Sequence, residues 1–364
     1  MASDPFYERL SELGPALLNA LSAFEEVRRH LDPPNIPALR GAAQPIAARL
    51  HAALEAFAAT PAPDGLGDLA AQLRQSAEAA DNAFSLFCGD ASPADAIPRV
   101  LRAMHEHCRS QELLYPLRKV LPPVGRFFLE PAARERAAEL DPDPNPDRPT
   151  GIITARQKDG SRGGFSLYVP EYYDPARAWP LIVALHGGSG TGDDFLWTWL
   201  TEARSRGCLL LSPTSQGSTW SLMDEDVDAP ALRAMVGYVR EHWHVDDSRI
   251  LLTGLSDGAT YTLLCGLQEN MPFTHLAPVS GVLHPVNLMN GNLERAAGRR
   301  IYLVHGARDW MFPIATARIA HRELQRAGAD VVFREIEDLS HTYPREENAR
   351  ILEWWDERLR LPGC

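Results

Sequence analysis

The sequence contains no apolar run approaching the roughly 18 residues that a membrane span needs. It opens Met1-Ala2-Ser3-Asp4-Pro5-Phe6-Tyr7-Glu8-Arg9, without the basic and then apolar stretches of a secretory leader, so a cytoplasmic protein is expected. Positive charge is in deficit: 36 Lys and Arg stand against 48 Asp and Glu, for a net charge of -12. Such a chain is a poor partner for phosphate backbones, which argues against general nucleic-acid binding. Lysine is nearly absent, with Lys119 and Lys158 alone. The five cysteines (Cys88, Cys108, Cys208, Cys265, Cys364) are odd in number and widely spaced, which fits neither a disulfide framework nor a zinc knuckle.

What is present divides into two parts. The length of 364 residues suits about two domains. Asp141-Pro142-Asp143-Pro144-Asn145-Pro146-Asp147-Arg148-Pro149 cannot sit in a helix or a central strand, and it is read as a linker. Residues 1–140 are expected to form an all-α bundle and residues 150–364 a second domain. In the first part, Phe6, Leu10, Leu13, Leu17, Leu21 and Phe24 recur at helical spacing up to the stop at Pro33-Pro34. Ile46, Leu50, Leu54 and Phe57 predict a second helix, and residues 66–87 a third. Ser92-Pro93 resembles an N-cap with proline at the first helical position, opening a fourth helix. A short helix is predicted over 111–120. This part holds no Gly-rich fingerprint. His105 and Cys108 share a helical face, but His107 points elsewhere, so the cluster is read as ordinary helix rather than a metal site. The bundle is therefore expected to be a cap or an assembly surface, homo-oligomer included.

From Gly151 onward, strands alternate with helices. Strands are predicted at 152–156, 165–169, 181–185, 208–212, 249–253, 275–279, 300–304 and 330–336. The pattern predicts an α/β fold, a mostly parallel sheet covered by helices on both faces.

Gly254-Leu255-Ser256-Asp257-Gly258 stands between a predicted strand and a predicted helix, the context of a nucleophile elbow. A serine needs a base. Among twelve histidines, His341 lies directly after the last predicted strand. His186 and His305 also follow strands, but each leads into a His-Gly turn and is read as structural. The orienting acid is expected to be Asp309, which follows the strand 300–304; Asp338, three residues before His341, is the competitor. The order Ser256, Asp309, His341 is that of an α/β-hydrolase. An oxyanion hole needs two backbone N–H groups. Asp257 is expected to supply one and Gly188, in the loop His186–Gly192, the other, with Ser189 as second choice. The Asp257 side chain should point away, capping the following helix. Trp220 and Trp310, with Trp197, Met311 and Phe312, are candidates for an apolar acyl pocket. Asp224, Glu225, Asp226 and Asp228 are read as a solvated acidic loop.

On these motifs, with Leu185-His186-Gly187-Gly188 and Ser340-His341, residues of about 151–360 resemble serine esterases of the α/β-hydrolase superfamily. The resemblance is greatest to the branch of phospholipase/carboxylesterase, feruloyl-esterase and polyhydroxybutyrate-depolymerase-like proteins. It implies hydrolysis of a small-molecule ester through an acyl-enzyme, with no metal or organic cofactor. A peptidase or acyl-aminoacyl hydrolase with the same triad, and a non-catalytic interaction protein on a hydrolase scaffold, are the alternatives.

Overall fold

The computed structural model describes residues 4–90, 95–143, 149–223 and 225–362. Ser92-Pro93, Asp224, Cys364 and most of the proline-rich stretch lie outside the described residues. Contacts divide the chain between Phe128 and Leu129.

The first unit is helical: α1 (Pro5–Arg29), α2 (Ile36–Ala58), α3 (Gly67–Cys88), α4 (Ala96–Leu114) and the short α5 (Pro122–Phe127). Asp4 caps α1 by accepting from the Phe6 amide, and Pro5 occupies the first turn, where no N–H is needed. The apolar stripe of α1 is buried through Leu13, Leu17, Leu21 and Phe24. Phe24 meets Phe84 of α3 edge-on at 5.3 Å. Two sequence expectations shift. α2 begins at Ile36 rather than near Ile46, and carries Pro45 inside it. The predicted helix 111–120 does not form; α4 runs on to Leu114 and tightens into a 3₁₀ turn at Tyr115–Arg118, where Pro116 lacks an amide. In the predicted His105–Cys108 cluster, His107 is buried, stacks on Phe24 at 5.0 Å and places Nε2 3.1 Å from the Leu21 carbonyl. No described helix is long and apolar enough to cross a membrane.

Among the described residues, the second unit is built on eight strands: β1 (Gly151–Ala155), β2 (Phe165–Val169), β3 (Trp179–Leu185), β4 (Leu209–Pro213), β5 (Val245–Leu255), β6 (His275–Val279), β7 (Arg300–Gly306) and β8 (Asp330–Ile336). Their order is β1-β2-β4-β3-β5-β6-β7-β8. β1 and β2 pair antiparallel, as do β2 and β4; every other pair is parallel. This is an α/β-hydrolase fold. Between the strands run α6 (Gly192–Phe195), α7 (Leu200–Arg206), α8 (Asp228–His242), α9 (Asp257–Gly266), α10 (Val286–Met289) and α11 (Ile314–Arg326), and α12 (Glu346–Trp355) follows β8. The helix expected over 194–206 is broken into α6, a 3₁₀ turn and α7. β3 is buried along its whole length, which is why it reads as an unbroken apolar run.

Residues 129–141 pack with this unit. Leu129, Ala133 and Leu140 share a small core with Leu361. Glu130 takes a two-pronged grip on Arg206 at 2.6 and 2.7 Å, and Asp141 accepts from Arg204 at 3.1 Å. Both guanidiniums are fully buried. The contacts thus fall with the second unit up to Asp141, whereas the sequence assigned 129–140 to the bundle.

Candidate active site

The carboxyl ends of the parallel strands carry the candidate residues. β5 ends at Leu255, and Ser256 turns the chain into α9 with φ 56° and ψ -117°. Left-handed backbone at a non-glycine residue is costly, and here it is held by neighbours on both sides. The Ser256 amide donates to the Val279 carbonyl at 3.0 Å. A Cβ on Gly254 would stand 2.6 Å from the backbone of Gly258, and one on Gly258 would meet the carbonyls of Leu185 and His186. Backbone packs directly on backbone, so the elbow needs both glycines.

His341 Nε2 lies 2.9 Å from Ser256 Oγ, and His341 Nδ1 lies 2.8 Å from Asp309 Oδ2. An ionised carboxylate only accepts, so Nδ1 carries the proton and Nε2 is free to accept from the serine. The other Asp309 oxygen accepts from the amides of Met311 (3.0 Å) and Phe312 (2.7 Å). Asp338 is exposed, so the carboxylate that meets the imidazole is Asp309. Behind it, buried His305 holds Nε2 2.7 Å from the Phe312 carbonyl and 3.4 Å from Asp309 Oδ2. Burial lowers the His305 pKa, against the opposing pull of the Phe312 carbonyl and Asp309. The Phe312 ring stands edge-on to His341 at 5.2 Å. Gly306, at the end of β7, lies against the His341 loop: a Cβ there would be 2.7 Å from the Ser340 carbonyl and closer still to that of Leu339.

The glycine loop after β3 faces the elbow; a Cβ on Gly187 would be 3.5 Å from Ser256 Cβ. Ser189 donates its amide to the Ser218 carbonyl at 2.9 Å, which disfavours it as an oxyanion donor. His186 acts as a peg for this loop. Its Nε2 accepts from the Ser215 amide at 3.1 Å, so Nδ1 carries the proton and donates to the Gly187 carbonyl at 2.6 Å. Burial pushes its pKa down to about 4, keeping it neutral. Arg162, from the turn between β1 and β2, donates to the Gly190 carbonyl. Nothing in the spacing of that turn announced this contact.

Three expectations about side chains change. Asp257 makes no helix cap; its Oδ2 accepts from Thr219 Oγ1 at 2.6 Å. Trp220 is 3% exposed, donates its indole N–H to the His186 carbonyl at 2.8 Å and stacks on Tyr261 at 5.4 Å. It therefore props the loop from behind rather than lining an open pocket, and Trp197 is buried as well. Trp310 and Met311 stay open, at 53% and 48% exposure. Of the acidic run, Asp226 and Asp228 are turned inward rather than solvated, while Glu225 is exposed: Asp228 accepts from Ser221 and the Gln216 amide, and Asp226 from Tyr261 and Gln268.

Residues 215–356, which contain Ser256, Asp309 and His341, match the family model for phospholipase/carboxylesterase. That segment is similar to the phospholipase/carboxylesterase family. An acetylxylan esterase of Coprinopsis cinerea (strain Okayama-7 / 130 / ATCC MYA-4618 / FGSC 9003) is 26% identical over 133 residues, which cover 33% of this chain and 36% of that protein. The match thus spans about a third of the curated relative. Among solved structures, a thermostable esterase is 24% identical with a TM-score of 0.48, over 57% of this chain and 62% of that one. An acetyl xylan esterase from Aspergillus awamori is 17% identical with a TM-score of 0.43, over 56% and 97% of the two chains.

Proposed function

We propose that the protein is a serine-dependent carboxylic ester hydrolase. The observation that carries this reading is the continuous relay from Ser256 Oγ through His341 to Asp309, at 2.9 and 2.8 Å. His341 Nε2 takes the serine proton as Oγ attacks the ester carbonyl. Asp309 holds the imidazole in the Nδ1–H tautomer and stabilises the imidazolium. The amides of Asp257, first residue of α9, and of Gly188 receive the oxyanion. The imidazolium then protonates the departing alcohol. His341 next draws a proton from water, which attacks the acyl-enzyme and releases the acid.

The substrate is a small-molecule ester, with Trp310 and Met311 as the apolar surface open to its acyl or alcohol part. The helical unit is read as a cap or an assembly surface. The test is hydrolysis of p-nitrophenyl esters of graded chain length, with a fluorophosphonate label on the full chain. Ser256→Ala should remove both turnover and labelling while leaving the fold intact. A folded Ser256→Ala variant that keeps more than a few per cent of kcat would overturn the assignment. Matched ester and amide substrates separate an esterase from a peptidase, and a wild-type chain that neither labels nor turns over would favour a non-catalytic role.

A further inference from the structure

The residue after the nucleophile is a carboxylate, and its placement reaches beyond the mechanism. Asp257 is half-buried. Thr219 holds its Oδ2 at 2.6 Å, and the same oxygen lies 2.8 Å from where a Gly188 Cβ would be. The charge is thus pinned against the loop that faces the acyl group. Among the described residues, Asp257 takes part in no ion pair. The guanidinium that reaches this loop, Arg162, bonds instead to the Gly190 carbonyl and to Ser215 Oγ. Asp226 and Asp228 are bonded within their own loop and to α9.

We propose that Asp257 is a specificity-determining residue that selects against esters whose acyl group carries a negative charge, and favours neutral or cationic acyl groups. The inference rests on the esterase reading above and adds to it the substrate's charge class. Adjacent residues are 3.80 Å apart at Cα, so the carboxylate lies within about 8 Å of the acyl carbon. A six-carbon acyl group carries its terminal charge about 6 Å beyond the acyl carbon, so the two charges stand about 8–14 Å apart, and at an effective dielectric of about 20 one unit of charge changes kcat/KM between an anionic and a neutral substrate by roughly five- to thirtyfold.

The test uses the full chain and three acyl groups of equal length: p-nitrophenyl hexanoate, its adipate half-ester and its ω-aminohexanoate. Wild type should favour the hexanoate over the adipate by at least about fivefold, and added salt should narrow the gap. Asp257→Asn keeps an acceptor for Thr219 and removes the charge. It should raise the adipate-to-hexanoate ratio of kcat/KM about fivefold or more and lower the aminohexanoate-to-hexanoate ratio. Thr219→Val keeps the charge and breaks the clamp, so it should slow all three substrates by a similar factor. An Asp257→Asn variant that moves all three substrates together makes the carboxylate a loop fastener and overturns the proposal. A salt-independent ratio in wild type does the same, even where the variant does not fold. A wild type that hydrolyses none of the three and takes no fluorophosphonate label overturns the esterase reading itself, a distinguishable result.

Discussion

Asp309 grips His341 with one oxygen and its own turn with the other: Oδ2 sits 2.8 Å from His341 Nδ1, while Oδ1 accepts the amides of Met311 and Phe312. The carboxylate cannot rotate without breaking three bonds, so the imbalance of charge it offers the imidazole is fixed in direction as well as in size. Asp309→Asn presents an amide in place of that acceptor and favours the wrong tautomer. By analogy with the serine-protease triad, kcat should fall by up to about 10⁴-fold. Asp338→Asn, at an exposed position, should cost less than about tenfold. Steady-state kinetics on both folded variants would check the ranking, and the reverse order would move the acid to Asp338.

Trp220 should behave as part of the scaffold. Trp220→Phe keeps the ring against Tyr261 and loses the bond to the His186 carbonyl, for about 1 kcal/mol of stability. Trp220→Ala also empties a buried site and should cost about 3–5 kcal/mol. Urea unfolding of the two variants measures the difference. A stable Trp220→Ala variant with only KM altered would restore the residue to the substrate pocket.

The neutral state of His186 predicts an acid-labile fold. Its folded pKa is pushed by burial to about 4 from an ordinary 6.5. Between those values the unfolded chain binds the additional proton, so stability falls as pH drops from 6.5 and the loss is complete below about 4. The full shift corresponds to ~3 kcal/mol. All eight tryptophans lie after residue 149, so fluorescence-detected unfolding at pH 7, 5.5 and 4.5 reports on the second unit. An unchanged midpoint across that range would contradict the peg role of His186.

Where the chain is cut should matter. Starting at Pro149 removes Glu130 and Asp141 and leaves the buried guanidiniums of Arg206 and Arg204 short of partners, a loss of about 3–5 kcal/mol for each pair broken. Starting at Leu129 keeps both. The longer piece should be soluble and melt higher, and should retain hydrolysis of a small ester. Equal melting temperatures for the two pieces would show that Glu130 and Asp141 contribute nothing to the fold.

Much of the second unit was legible because its strands are buried on both faces and therefore read as apolar runs. β2, β6 and β8 fall on the residues expected. The placing of β4 between β2 and β3 was not legible, since strand order depends on crossovers that leave no local pattern. That Ser256, Asp309 and His341 come within hydrogen-bonding distance of one another was readable because each follows a separate strand, and position alone selects them. The partners of Asp257, Trp220 and Arg162 were not, because Thr219, the His186 carbonyl and the Gly190 carbonyl are loop atoms with no periodicity to betray them. The break at residue 128 was hidden for a related reason. Prolines mark where a chain stops being regular, but which side the preceding segment packs against is decided by distant partners such as Arg206 and Leu361.

Gly306 ties the two halves of the relay together in a way that bears on how this site can change over generations. Because backbone meets backbone between Gly306 and Leu339–Ser340, the loop that bears Asp309 and the loop that bears His341 have no side-chain cushion between them. An insertion in one would displace the other, and a side chain at Gly306 would part them. The stretch from β7 to His341 can therefore diversify at Trp310 and Met311, which face outward, while its lengths and this single glycine are inherited as one block.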